Sequence, residues 1–332
     1  MKLLILGGTA WLGGEIARSA VDSGHEVTCV ARGTAIPAGA HLVIADRDDD
    51  DALHEVARSH WDAVIDVARQ PGHVRRAVRD LAASADRYIF VSTGNVYASQ
   101  AQVGADEDAQ RLAPLASDSY DDPEDYGAAK VAGEQAVLEG FGPERSMIAR
   151  SGLIGGPGDT SGRTTYWPWR FAHPSNPEGW VLAPDTAELP TAVIDVRDLA
   201  AWLIRAAESG TTGVFNAMGH ALPLPEHLEV ARTVAGTPGR IVAVPQQWLV
   251  DNGVNEWAGP RSLPLWLIDR DWYGFNARSA ERALAAGLQL RPLAETLADS
   301  LEWRQAQASG TTFAAGLSDD DERELLARVK TA

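Results

Sequence analysis

The chain has 332 residues, 45% hydrophobic and 23% charged, which is enough apolar material for a substantial buried core. A formal net charge of −17 leaves no basic stripe for nucleic acid, and no apolar run approaches the ~20 residues of a membrane span. The single cysteine, Cys29, excludes an internal disulfide and fits a reducing, cytoplasmic setting.

In chain order, the first half alternates short apolar runs with helical patterns, as βαβ units around a parallel sheet do. The runs expected as strands are Leu3–Leu6, Val27–Ala31, Leu42–Ala45, Ala63–Val67, Tyr88–Ser92 and Ser146–Arg150. Between them, helices are expected at Leu12–Ser23, Asp50–Ser59 and Gly72–Ala83, the last starting just after Pro71. The strand candidates are continuously apolar, which suits strands buried on both faces. After about residue 155, prolines from Pro157 to Pro190 mark a loop-rich region with short elements. Within it VIDVRDLAAWLIRAA reads as a strand delivering a helix, and GVFNAMG as one more strand. Near the end, Ser318 with Asp321 three residues on resembles a capping box.

The opening strand runs into Gly7-Gly8-Thr9-Ala10-Trp11-Leu12-Gly13 and then a helix, the context of a dinucleotide-binding turn. Gly7 would allow the tight turn and Gly13 the close approach of helix and strand. The helix N-terminus would bind a pyrophosphate through free N–H groups and its dipole. Thr9, Ala10, Trp11 and Leu12 complete that cradle, with Ala10 where a third glycine is usual. These signals together specify a Rossmann doubly wound parallel sheet with helices on both faces and a smaller C-terminal α+β lobe. The dinucleotide domain is expected over residues 1–155 plus returning segments near 190–220, and a partly interleaved substrate lobe over 156–332. The second strand ends in Ala31 and Arg32, with no acid to accept from a ribose 2′-hydroxyl and a guanidinium able to pair with a 2′-phosphate. NADP is therefore favoured over NAD. Asp46 and Arg47, after the third strand, are expected near the adenine.

Tyr126 and Lys130 in YGAAK stand at i and i+4, on one helix face, and Thr93 in VSTGNVY ends a strand. A hydride arriving at a carbonyl carbon needs a proton at the oxygen. A tyrosine can deliver it if a nearby cation lowers its pKa of ~10. Thr93 would hydrogen-bond the same substrate oxygen.

GGTAWLG, STGNVY, YGAAK, IARSGLIGGPGD, VIDVRDLA and VFNAMG together resemble the extended branch of the short-chain dehydrogenase/reductase superfamily, the NAD-dependent epimerase/dehydratase-like proteins. That resemblance implies an enzyme with Thr93, Tyr126 and Lys130 in catalytic places. It implies Val67 and Ala68 beside the cofactor, Lys130 on it, and Arg150 to Ile154 along the nicotinamide. Dehydratases of this kind carry an acid pair after the threonine; this chain has Gly94 and Asn95, which disfavours dehydration. Epimerases generally retain NAD, so Arg32 tilts the reading toward an NADPH-dependent reductase, with a sugar or sugar-nucleotide epimerase as the alternative. A non-catalytic redox sensor is the alternative of another class, opposed by the presence of both Tyr126 and Lys130. An RNA-binding relative is opposed by the charge.

Asn95, Arg163, Tyr166 and Trp167 are expected to contact a polar small-molecule substrate, with Trp169 and Arg170 in the same cluster. The 11 Trp serve either the core or pocket walls, and sequence leaves the two even. The eight His show no metal-ligand spacing, so no metal is expected. A homodimer is left open.

Overall fold

A computed structural model describes residues 1–237, 239–308 and 310–330. The first half builds β1 (Lys2–Leu6), α1 (Trp11–Asp22), β2 (Glu26–Ala31), β3 (His41–Ile44), β4 (Ala63–Asp66), α2 (Pro71–Leu81), β5 (Tyr88–Thr93), α3 (Tyr126–Phe141) and β6 (Ser146–Ser151). There follow β7 (Leu153–Gly155), α4 (Tyr166–Ala172), β8 (Trp180–Asp185), β9 (Pro190–Thr191), β10 (Val193–Asp195), α5 (Val196–Ser209) and β11 (Gly213–Ala217). Seven strands form one sheet in the order β11-β6-β5-β4-β1-β2-β3, each neighbour parallel. The expected doubly wound sheet is present, and its order reverses between β1 and β4, where such folds bind ligands.

The run LLIL shows why both faces are covered. Leu3 and Ile5 enter a core with Ile16 of α1 and Leu199 and Trp202 of α5. Leu4 and Leu6 enter the opposite one, with Val74 and Val78 of α2 and Val137 and Phe141 of α3. Alternate residues of a strand point to opposite faces, so only an unbroken apolar run can satisfy both layers.

The chain beyond β7 supplies a third core around Trp167, Phe171, Leu228 and Trp266. Its frame is β8 paired parallel with the strand Arg240–Pro245, and the helices Leu224–Ala235 and Leu293–Gln305. The final helix, Asp319–Val329, starts at Ser318, whose side chain accepts from the Asp321 N–H as its spacing suggests.

One expected helix is absent. Asp50–Ser59 holds only a 3-10 turn at Val56–Arg58. The acidic run there is tethered instead to α2: Asp48 bonds His73 at 2.7 Å, and Asp50 accepts from Arg79 at 2.7 Å. Those side chains hold the backbone as turns along α2 rather than in a helix of its own.

Candidate active site

The glycine turn follows the logic of its residues. Gly7 has φ +97°, a conformation that side chains rarely adopt. A Cβ on Gly13 would lie 2.1 Å from the Gly7 carbonyl oxygen, so only glycine lets α1 approach β1 this closely. Ala10 caps α1 in an ordinary extended conformation, so its methyl costs nothing in the backbone. No side chain caps that N-terminus, and its first turn carries no acid. Its N–H groups are left for an anion.

Two cavities lie along the C-terminal edge of the sheet. The first, about 380 Å³, is lined by Gly7, Thr9, Ala10, Arg32, Asp46 and Arg47, with Val67, Ala68 and His73 closing it. The second, about 610 Å³, has Thr93, Asn95, Tyr126, Ile154 and Arg163 in its wall. Trp11 also lines the second cavity, and its indole Nε1 donates to the Pro157 carbonyl at 2.8 Å. The residues expected around a dinucleotide thus divide between two adjoining spaces.

Several expectations need correction. Tyr166 and Trp167 do not reach the second cavity; both are fully buried in the C-terminal core, where the Trp167 indole donates to the Pro264 carbonyl at 2.9 Å. Trp169 stacks on His173, and Arg170 is buried against Asp319 and Glu322. The cluster therefore packs one lobe, because the α4 helix turns its aromatic face inward. The Leu12 side chain packs into the sheet core, which leaves only its backbone for a phosphate.

Arg150 is the clearest reversal. It is 2% exposed and its guanidinium lies along Glu134, at 2.9 Å from Nε and 2.8 Å from Nη2, rather than along a nicotinamide site. Glu134 also accepts from Ser92 at 2.6 Å and Arg111 at 3.0 Å. This network ties α3, which carries Tyr126 and Lys130, to β5 and β6. Glu134→Ala strands a buried guanidinium and is expected to cost about 3–5 kcal/mol, read as a lowered urea midpoint.

Arg47 is buried too. It forms a bidentate pair with Asp66 at 2.7 and 2.9 Å, and Asp66 also accepts from the Tyr88 hydroxyl at 2.6 Å and the Ala68 N–H at 2.9 Å. Burial pushes the Asp66 carboxyl up, but these bonds outweigh it and hold it below the usual range. Arg47 thus braces the floor of the first cavity, while Arg32 and Asp46, 3.7 Å apart, stand exposed at its rim.

Lys130 and Tyr126 share a helix face but not an environment. The Lys130 ammonium is buried and donates to the carbonyls of Ala68 and Val91, both at 2.6 Å. Burial pulls its pKa down to about 7. Ala68 lines the first cavity, but Lys130 lies beneath it and lines neither cavity, so the expected contact with the cofactor is not presented by its side chain here. Tyr126 is half-buried, and burial pushes its phenol up, against the pull of Thr93, Arg69 and Arg163. The Arg69 guanidinium lies 5.5 Å from the Tyr126 ring centroid. The cations that act on the tyrosine are thus Arg69 and Arg163, whereas the sequence singles out Lys130.

Arg69, Trp257, Trp272 and Phe275 line the second cavity without having been expected there. Arg69 directly follows the Val67-Ala68 pair, so its place was within reach of the motif. The three aromatics come from a segment more than a hundred residues downstream of Tyr126, Trp272 and Phe275 from its 3-10 helix Arg270–Asn276, and carry no local signal. The tryptophans divide accordingly: Trp61, Trp167, Trp202 and Trp266 are core, while Trp11, Trp257 and Trp272 are wall. His60, Asp62 and Asp86 come together at the opposite, N-terminal edge of the sheet, a grouping their spacing does not announce. Among the described residues no helix is long and apolar enough to cross a membrane.

Residues 3–86 match the profile of the NAD dependent epimerase/dehydratase family. No curated protein matches the sequence. Among solved structures, the chain is similar to UDP-N-acetylglucosamine 4-epimerase from Bacillus cereus, with TM-score 0.69, 14% identity, and 93% of this chain and 98% of that one covered. It is similar to UDP-glucose 4-epimerase from Thermotoga maritima, with TM-score 0.63, 16% identity, and coverage of 92% and 99%. The enzyme WbmH from Bordetella bronchiseptica, solved with NAD+, gives TM-score 0.64, 16% identity, and coverage of 92% and 98%. At these identities the likeness is one of fold, and the resemblance to the extended short-chain dehydrogenase/reductase branch stands on it together with the family match.

Proposed function

We propose, for a chain with the epimerase/dehydratase fold and family match, that it is an NAD(P)-dependent enzyme acting on a carbonyl or hydroxyl carbon of a polar small molecule. The observation that carries this reading is the second cavity, which has Thr93 and Tyr126 in its wall and adjoins a glycine turn with an uncapped helix N-terminus. The residues present fit a dinucleotide. The α1 N–H groups and Gly7 would hold the pyrophosphate, Arg32 and Asp46 the adenosine ribose, and Val67 and Ala68 the middle of the molecule. When bound, the dinucleotide gives or takes the hydride. Tyr126 gives or takes the proton at the substrate oxygen, and Thr93 orients that oxygen. The Thr93 hydroxyl donates to the Asn95 side-chain oxygen at 3.0 Å and would turn from it to donate to the substrate oxygen.

Net reduction with NADPH is the first form of this proposal, because Arg32 stands exposed at the rim, held only by a 3.7 Å contact to Asp46, where it would meet a 2′-phosphate. Epimerisation with retained NAD is the second, supported by the solved epimerases of this fold and by Asp46, whose carboxylate could accept from a free ribose hydroxyl. Incubation with NADPH or NADH and a panel of carbonyl compounds tests it: a reductase consumes reduced cofactor in step with substrate. An epimerase interconverts sugars at constant cofactor, and absence of both activities retires the enzyme reading.

Cofactor choice has its own test. A charge-assisted contact from Arg32 to a 2′-phosphate is worth ~1–3 kcal/mol, or about 5- to 150-fold. Arg32→Ala is expected to weaken NADPH by that factor and leave NADH nearly unchanged in calorimetric titration. Ala31→Asp is expected to penalise NADPH further. A wild-type preference for NADH places Arg32 among solvated loop charges and favours the epimerase.

A further inference from the structure

We infer that Arg69 and Arg163 form an oxyanion clamp beside Tyr126, so that the substrate is a small acid carrying its carboxylate or phosphate next to a flat apolar ring. The inference rests on the proposed reaction for the word substrate, but its evidence is the cavity itself.

The wall of the second cavity contains two arginines and no carboxylate. The chain has 46 acidic and 29 basic residues, and acids are therefore in excess for pairing. Arg282, Arg291 and Arg197 each meet two or more acids. Among the described residues neither Arg69 nor Arg163 forms an ion pair. Arg163 donates from Nε to the Ser161 hydroxyl at 3.1 Å, and its guanidinium lies 5.6 Å from the Trp257 ring centroid. The acid that acts on it, Asp159, is taken up by the Thr164 hydroxyl at 2.6 Å and the N–H groups of Ser161 and Thr164. Burial pulls Arg163 below its ordinary value, which Asp159 offsets only in part. A partly desolvated guanidinium with open donors is costly alone and is relieved by an oxyanion.

The same wall is aromatic. Phe275 meets Trp257 and Trp272 edge to face, with centroids 5.8 and 6.3 Å apart. Trp257 holds φ +62°, and Arg261 and Leu265, further along the chain beside two short strands, hold +50° and +69°. Bulky residues occupy that region only where surrounding packing enforces it, and such strain gathers at ligand walls. The loop therefore presents the Trp257 ring to the cavity at a backbone cost. Together these groups offer two forked cations and three ring faces, which fit a ring-bearing acid.

Calorimetry on the full chain with NADPH present tests this, using phenylacetate and benzylphosphonate as probes, phenylacetamide as the neutral isostere and UDP as the nucleotide arm. Both anions are expected to bind at least about ten-fold more tightly than the amide, and the stronger of the two identifies the oxyanion. Arg69→Gln and Arg163→Gln are each expected to weaken the anions about ten-fold. Arg232→Gln, which removes an equal charge paired with Glu229 outside the cavity, leaves them unchanged. Arg69 is exposed, so its variant remains decisive if Arg163→Gln fails to fold. Tyr126→Phe is expected to keep anion binding whatever it does to turnover, which separates failure of the clamp from failure of the proposed reaction. Equal binding of amide and acid overturns the clamp, as does wild-type affinity in both arginine variants. UDP binding that exceeds both acids and depends on the two arginines overturns it in favour of a nucleotide.

Discussion

Tyr126→Phe is expected to lower kcat/KM by about 10² or more while leaving the unfolding midpoint nearly unchanged. The substitution removes only the hydroxyl, and the ring keeps its place beside Tyr120, with centroids 6.2 Å apart. Burial holds the phenol above its ordinary value despite Thr93 and Arg69, so the cofactor-free protein at neutral pH carries it protonated. That is the acid form needed for reduction of a carbonyl. In the oxidative direction the same group must first lose its proton, so rates in that direction should rise with pH. Normal turnover by the phenylalanine variant retires Tyr126 as the proton carrier.

The second large effect is on stability, at Lys130. Burial disfavours its ammonium, giving a pKa of about 7 in the folded chain against about 10.4 when unfolded. Between those values the unfolded chain binds more protons, so the contribution of Lys130 to stability rises as pH rises. The slope approaches about 1.4 kcal/mol per pH unit, or about 2–3 kcal/mol between pH 7 and pH 9. Cys29, pushed up to about 11 by burial, works the other way above its unfolded value, because there the unfolded thiol ionises first. The difference between wild type and Lys130→Met, followed by urea unfolding across this range, isolates the lysine. The rise is expected in wild type and lost in the variant; parallel profiles would show that the folded ammonium is not disfavoured. At high pH the variant should be the less stable, since the carbonyls of Ala68 and Val91 lose their shared donor.

These two residues also show where reading a sequence stops. Their i, i+4 spacing puts both on one face of α3, and that is a property of the helix alone. Which of them meets a cation or water depends on what packs over that face. Lys130 lies beneath Ala68 and Val91, and Tyr126 faces Arg69 across the cavity. Arg150 makes the same point from a strand. Its place on β6 was legible, but its direction was not, because Glu134 needs a buried counter-charge and only the packing of α3 on the sheet puts one within reach.

What the sequence determined by itself rests on short-range physics. The unbroken LLIL run demands two covered faces, Gly7 and Gly13 demand a turn no other residue allows, and Ser318 caps the helix three residues ahead of Asp321. These depend on backbone conformation and period, which a few neighbouring residues fix. The tertiary structure alone decided which tryptophans are core and which are wall, and that Tyr166 and Trp167 belong to the lobe interior. It alone placed Arg69 and Arg163 in one cavity with no ion pair among the described residues. Those outcomes turn on contacts between segments 30 to 150 residues apart. Burial and charge pairing are set by what arrives from elsewhere in the chain, and no local pattern encodes the arrival.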